Sequence, residues 1–352
     1  MLRALDVGGS QTRIAKAQDN IRIFDSVSFE IDINLPAKTY DEDFLNDFII
    51  KAAPRRDLIN TRYVKGAVGD LYQGKLIVID NQSPKTEQKP TYVNAIYAIC
   101  RELIAEDLTN VDVKIGICIP VAEFFSAQVA YDATIRANLA GSYVINFPLL
   151  GRDVVFNIKA ADIFVFPEGV IAAYAFLKDR QFTNGISLII DAGYRSTDIT
   201  ILRNFKPLGK GARSLPIGGI NLEAFVIGEL ERSGLNITRE EAKEAFVEER
   251  IRNGSNYYDV KRYVSNAKIQ FASELKNGII DTLSYNGVAL RAINNVLYVG
   301  RPFSGEGNDS IKTMLSLALG SSIREFEVSN LATANVEAVM GAMMGANSLQ
   351  NT

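Results

Sequence analysis

The chain has 352 residues, long enough for two domains of ordinary size, and its 47% hydrophobic and 22% charged residues match a soluble globular protein. Its formal net charge of −3 argues against a protein that coats nucleic acid by bulk charge. With no histidine and only two cysteines, Cys100 and Cys118, a Ser-His-Asp triad, a Cys-His pair, a His-ligated zinc and a disulfide framework are excluded.

Residues 2–7 read as a strand ending in a glycine turn, and 12–17 and 21–29 as further strands of a meander. The opening apolar run breaks at Asp6, too soon for a signal peptide. No run reaches the ~18 apolar residues of a membrane span, and the polar C-terminus makes no membrane anchor, so a cytoplasmic location is expected. Residues 35–90 are richer in charge and proline, carry a helical pattern at 40–51, and close with the loop 81–85. Residues 91–107 show helical periodicity. The near-continuous apolar run at 113–120 suits a strand buried on both faces. Strand character returns at 151–160 and 163–166, followed by Pro167-Glu168-Gly169 and an apolar helix at 170–178.

The second half opens as the first does. A strand at 186–190 ends in Asp191, a glycine turn follows, and a strand runs from 198 to 203. A basic hairpin at 205–209 precedes another short strand. Helices are expected at 221–233, 239–249, 257–276, 309–319 and 335–346, with a strand at 296–300. The chain thus holds two copies of one unit: apolar strand, Asp, glycine turn, amphipathic strand.

The first turn is Asp6-Val7-Gly8-Gly9-Ser10-Gln11-Thr12. Its glycines let backbone N–H groups approach an anion, Ser10 and Thr12 add hydroxyls, and Asp6 is placed to hold a Mg²⁺-bound water. The second, Asp191-Ala192-Gly193-Tyr194-Arg195-Ser196-Thr197-Asp198, carries the same elements. Facing turns would grip a polyphosphate from both sides. Glu168 at a helix start is a candidate for orienting water on a terminal phosphate, against the plainer role of an acidic residue in a first helical turn. Gly218-Gly219-Ile220-Asn221 offers backbone donors at a helix start, and Gly300-Arg301 offers a close approach for a flat base with an arginine to stack on it.

This order of motifs resembles the actin-like ATPase superfamily. Residues 6–12 look like its first phosphate loop, 191–198 like its second, 297–301 like its adenosine motif, and 335–345 like its connecting helix. Within the superfamily, Ile189-Ile190-Asp191-Ala192-Gly193 with Asp198, and Pro167-Glu168-Gly169 at a helix start, are similar to plasmid-segregating bacterial actins of the ParM kind. The resemblance implies an α/β, two-domain actin/ribonuclease-H-like fold with nucleotide in the interdomain cleft. Domain I would span 1–165 plus 331–352 with an insertion at about 33–92, and domain II 166–330 with an insertion at about 220–290. It implies that Asp6 and Asp191 organise Mg²⁺ through water and that Glu168 polarises the attacking water. Gly8, Gly9, Ser10, Gln11, Thr12, Gly193, Tyr194, Arg195, Ser196, Thr197, Gly218, Gly219 and Asn221 would hold the phosphates, and Gly300 and Arg301 border the base. Two departures stand out: Tyr194-Arg195 replaces small residues in the second loop, and Gly300 is followed by Arg-Pro instead of a glycine cluster, leaving ATP and GTP both open.

The activity implied is Mg²⁺-dependent ATP (or GTP) hydrolysis coupled to filament formation, moving plasmid DNA through a DNA-binding adaptor, with no direct nucleic-acid or membrane contact. Two other readings stay open. Residues 5–13 also resemble the opening of glucokinase-type sugar kinases, although the mid-chain segment offers Pro167-Glu168-Gly169 in place of their usual aspartate. A bacterial actin scaffold without a segregation role is the other.

Overall fold

The computed structural model describes residues 1–17, 19–36, 44–66, 69, 72–80, 83–126, 129–179, 184–204, 206–253, 256–303, 309–319, 324–327 and 331–350. The chain forms two compact units, Met1–Ala172 with Thr333–Thr352, and Ala173–Ala332.

The first unit opens with β1 (Leu2–Val7), β2 (Gln11–Ala17), β3 (Asn20–Asp25), β4 (Ser28–Ile31), β5 (Asp47–Ala52), β6 (Thr61–Lys65) and β7 (Lys75–Ile77). Helix α1 (Lys89–Ala105), β8 (Val111–Asp112), β9 (Lys114–Ile119), the short α2 (Val121–Phe124) and α3 (Tyr131–Leu139) follow. Then come β10 (Gly141–Phe147), β11 (Arg152–Ile158), β12 (Ile163–Pro167) and α4 (Val170–Asp179), of which only the first three residues belong to the first unit. The second unit holds β13 (Ile186–Ala192), β14 (Thr197–Arg203), β15 (Lys206–Leu215), α5 (Gly219–Arg232) and α6 (Arg239–Glu248). It continues through β16 (Arg250–Asn253), β17 (Asn256–Asp259), α7 (Lys261–Tyr285), β18 (Ile293–Val299), α8 (Asp309–Leu319) and β19 (Arg324–Glu327). The last helix, α9 (Leu331–Gln350), packs on the first unit.

The repeat seen in the sequence extends to whole sheets. The first unit has a five-stranded sheet ordered β12-β9-β1-β2-β3, and the second one ordered β15-β14-β13-β18-β19. In each, an antiparallel meander is extended by two parallel strands on the side of its first strand. Strand β9 shows why its sequence is apolar without alternation. Ile115, Ile117 and Ile119 belong to one core with α1, while Cys118 joins Val336, Val339 and Met343 of α9 on the other face. Gly116 lets α9 lie close, since a Cβ there would stand 2.3 Å from the Met343 sulfur. Helix α1 is buried from Pro90 to Cys100 because it packs against both the first sheet and a second, seven-stranded sheet ordered β7-β4-β6-β5-β10-β11-β8. In the second unit, Val226, Leu230, Phe271, Leu275 and Ile311 from α5, α7 and α8 cover one face of the sheet.

Three expectations are corrected. The helical pattern at 40–51 is instead strand β5 over Asp47–Ala52, whose Phe48 and Ile50 are buried while β6 and β10 flank it; Phe44–Asn46 make only a single 3₁₀ turn, and residues 40–43 lie outside the described residues. The strand expected at 21–29 is two strands, broken at Ser26 and Val27, where Ser26 turns back to the first hairpin. The helix expected at 257–276 begins at Lys261 and runs to Tyr285, and Asn256–Asp259 pairs instead with Arg250–Asn253. No helix among the described residues is long and apolar enough to cross a membrane.

Candidate functional site

The two glycine turns close in the same way. In the first hairpin Val7 pairs with Thr12, and Gly8 donates its N–H to the Gln11 carbonyl at 2.9 Å. In the second Ala192 pairs with Thr197, and Gly193 donates to the Ser196 carbonyl at 2.8 Å. Each leaves a four-residue loop after an apolar strand. Gly8 is demanded sterically, because a Cβ would stand 2.8 Å from the Gln11 carbonyl oxygen. Gly9, Ser10 and Gln11 thus occupy the places of Tyr194, Arg195 and Ser196. Thr12 and Thr197 are equivalent too, and both hydroxyls are engaged inside their own units. Thr12 shares a hydrogen bond with the Ser26 hydroxyl (2.8 Å), and Thr197 donates to the Ile217 carbonyl (2.7 Å). The Ser26 amide also donates to the Ser10 carbonyl, anchoring the first loop from behind.

The carboxylates at the strand ends differ in their partners. Asp6 is buried and paired in register with Arg13, whose guanidinium lies 3.5 Å from it and also donates to Gln11 (3.1 Å). Asp191 pairs in register with Asp198, so two carboxylates share one face of β13 and β14, and Ser214 donates to Asp198. This all-oxygen donor set fits a hard cation such as Mg²⁺, which takes one or two carboxylates and keeps several waters.

Around the second hairpin the geometry reassigns several groups. Gly219 and Ile220 donate their N–H groups to the Gly193 and Tyr194 carbonyls (3.0 and 2.7 Å), and the Gly218 N–H donates to the Asn221 side chain (2.9 Å). The start of α5 therefore clamps the loop, and those donors are already in use. A Cβ on Gly218 would stand 2.7 Å from the Tyr194 carbonyl oxygen. Tyr194, bulky where small residues were expected, turns its hydroxyl to Glu223 of α5 (3.0 Å); burial, then the Glu223 charge, push its pKa up. Gly300 closes β18 at φ +105°, and a Cβ there would stand 2.0 Å from the Ala192 carbonyl oxygen. It brings that strand end against the residue after Asp191. Arg301 begins a short turn, and its side chain lies outside the described residues.

Glu168 sits where β12 meets α4. Its N–H donates to Ile119 at the end of β9 (2.8 Å), and Gly169, at φ +65°, donates to Asn335 of α9 (3.0 Å). Its carboxylate accepts from the ammonium of Lys85, a residue the sequence reading did not single out as a site residue. Burial alone would lower the Lys85 pKa, but the carboxylates of Glu168, Asp6 and Glu123 raise it above the ordinary lysine value. Glu123 fixes the turn that carries Lys85 by accepting from the Lys85 and Thr86 amides (2.7 and 3.0 Å). In the first unit, Asp6 and Glu168 are thus brought to one lysine. Lys85, Glu123, Arg13 and Ser26 are the neighbours the sequence reading missed; only Arg13, directly after the motif, carried any local signal.

No protein-family model matches the chain, and no curated protein matches it in sequence. Solved structures do. The archaeal actin homolog Ta0583 is similar over 98% of this chain and 99% of its own, at 18% identity and a TM-score of 0.72. Bacillus thuringiensis ParM with ATP is similar over 98% of each chain at 16% identity and a TM-score of 0.69. The ParM of a 15-stranded filament from Clostridium botulinum is similar over 98% of this chain and 99% of its own, at 17% identity and a TM-score of 0.68. The chain has the two-domain α/β actin-like fold.

Proposed function

We propose that this chain is a nucleotide-dependent, filament-forming actin-like protein that hydrolyses ATP or GTP with Mg²⁺. The observation that carries the reading is the pair of identically closed glycine hairpins, each following a strand that bears Asp6 or Asp191. Loops of this kind present backbone N–H groups to phosphate oxygens. ATP and ADP complexes and a filament among the similar structures support the same reading.

In this reading each hairpin offers its backbone N–H groups to phosphate oxygens, and Asp6 and Asp191 are the residues that would hold a hydrated Mg²⁺, which would screen the phosphate charge. Gly300 and Arg301 border the base. Water attacks the terminal phosphorus, the bond to the bridging oxygen breaks, and nucleoside diphosphate and phosphate leave. Glu168 orients that water and accepts its proton. Lys85 holds the Glu168 carboxylate in place and sets a positive charge beside it. Hydrolysis weakens the filament, as in other switches driven by a terminal phosphate. The protein works in the cytoplasm and moves plasmid DNA through a DNA-binding adaptor.

Light scattering with ATP, GTP, ADP and no nucleotide, alongside phosphate release, tests the proposal. The expected result is scattering that requires triphosphate and Mg²⁺ and decays as phosphate appears. Diphosphate production that depends on an added sugar, without scattering, would replace this reading with a kinase.

A further inference from the structure

Behind the first hairpin lies a buried lysine that, among the described residues, has no carboxylate in hydrogen-bond contact. Lys65, at the end of β6, is almost wholly buried. Its ammonium donates to the Ser28 hydroxyl (3.0 Å) and to the Asn94 side-chain oxygen, and it lies 5.3 Å from the centre of the Tyr97 ring. These are three acceptor faces, and all are neutral. Asn94 passes the contact on: its amide donates to the Ser26 carbonyl (3.0 Å), and Ser26 in turn holds Ser10 by its amide and Thr12 by its hydroxyl. A continuous chain of hydrogen bonds, buried from Lys65 through Asn94 to Ser26, therefore runs from a lysine to Ser10 in the loop that carries Gly8 and Gly9.

The charged groups around it are few. Asp25, at the end of β3, acts on Lys65 from a distance. On β4 the nearby Glu30 is taken by Lys89 (2.5 Å). On α1 the Tyr97 hydroxyl donates to Asn46 and accepts from Arg101. Among the described residues no carboxylate bonds this enclosed ammonium, and burial lowers its pKa to about 7 against a smaller opposing pull from Asp25.

We infer that Lys65 is a positioning residue for the anion held by the first hairpin: it acts through Asn94 and Ser26 and takes up a proton when a nucleotide's phosphates bind. The inference rests on the nucleotide reading above. At an effective dielectric of about 20, a negative charge about 10 Å from an ammonium raises its pKa by about 1. Di- or triphosphate at the loop thus converts Lys65 from partly neutral to charged, and binding tightens as pH falls through neutrality.

The test is titration calorimetry of Mg–ADP into the full chain near pH 7.5, in two buffers of different protonation enthalpy. Wild type should take up about 0.5 proton per nucleotide. Lys65→Met should bind several-fold more weakly with no uptake. Lys65→Arg, permanently charged, should regain affinity and still show no uptake. Should neither variant fold, the pH series on wild type decides: uptake must peak between about pH 7 and 8.5 and vanish near pH 6. Binding without uptake, or uptake that persists in Lys65→Met, overturns the inference and leaves the nucleotide reading standing. Absence of any Mg–ADP binding overturns both.

Discussion

The Lys85 ammonium donates to the Glu168 carboxylate across 83 residues of sequence, joining the turn before α1 to the end of β12. Glu123 sets the lysine's turn, and Ile119 and Asn335 set the backbone on either side of the glutamate. Both partners are thus held by separate elements of one unit, and the pair is an assembled feature, not two long side chains meeting on a surface.

Glu168→Ala should slow phosphate release by about a hundredfold or more, the usual loss when a positioned general base is removed. Nucleotide affinity should change little. Polymer should persist after triphosphate is added, followed by scattering and phosphate assay together. Normal phosphate release would show that another group handles the water.

Lys85→Met leaves the Glu168 carboxylate without its cation and should destabilise the chain by about 2–4 kcal/mol. Adding Glu168→Gln should recover part of that loss, read as a coupling energy in urea melts. The sign with pH follows from the raised Lys85 pKa. Its contribution is fully present below the unfolded value of about 10.4 and fades as pH rises through the higher folded value. The gap between wild type and Lys85→Met should therefore be constant at neutral pH and close only in strong alkali.

Lys65 behaves in the opposite sense. Its folded pKa of about 7 lies below the unfolded value, so the unfolded chain binds the extra proton between the two. Stability from this group rises with pH in that window. Relative to Lys65→Met, wild type should gain about 2 kcal/mol between pH 7 and 9 in denaturant titrations. A pH-independent difference between the two would show that Lys65 stays charged in the folded chain.

Gly300→Ala meets the Ala192 backbone and a positive φ together, and should cost about 2–4 kcal/mol in thermal or urea melts. Gly218→Ala differs. Its backbone is extended, but the new methyl pushes on the Gly193 and Tyr194 carbonyls. The expected signature is a loss of nucleotide affinity larger than the loss of stability, measured on the same preparation. Equal affinity to wild type would separate the α5 start from the phosphate site.

Much of the fold was legible in order. The strands at 2–7, 113–120 and 186–190 announced themselves as apolar runs, and both glycine hairpins fell where Asp-x-Gly placed them. Segment 47–52 did not, because Asp-Phe-Ile-Ile-Lys-Ala satisfies a helical period as well as a strand's, and only pairing with β6 and β10 decides between them. The helix α3 and strand β10 carried too weak a pattern to be assigned.

The opening and closing of each hairpin are local matters, settled by glycines and strand-end aspartates a few residues apart, and the sequence by itself determines them. Tertiary structure alone decided that Lys85 meets Glu168, that Ser26 holds Ser10 and Thr12, and that the donors at the start of α5 serve the second loop. Those contacts join residues 14 to 83 positions apart. No local pattern encodes them, because the partners become neighbours only once separate strands and helices have packed around a common core.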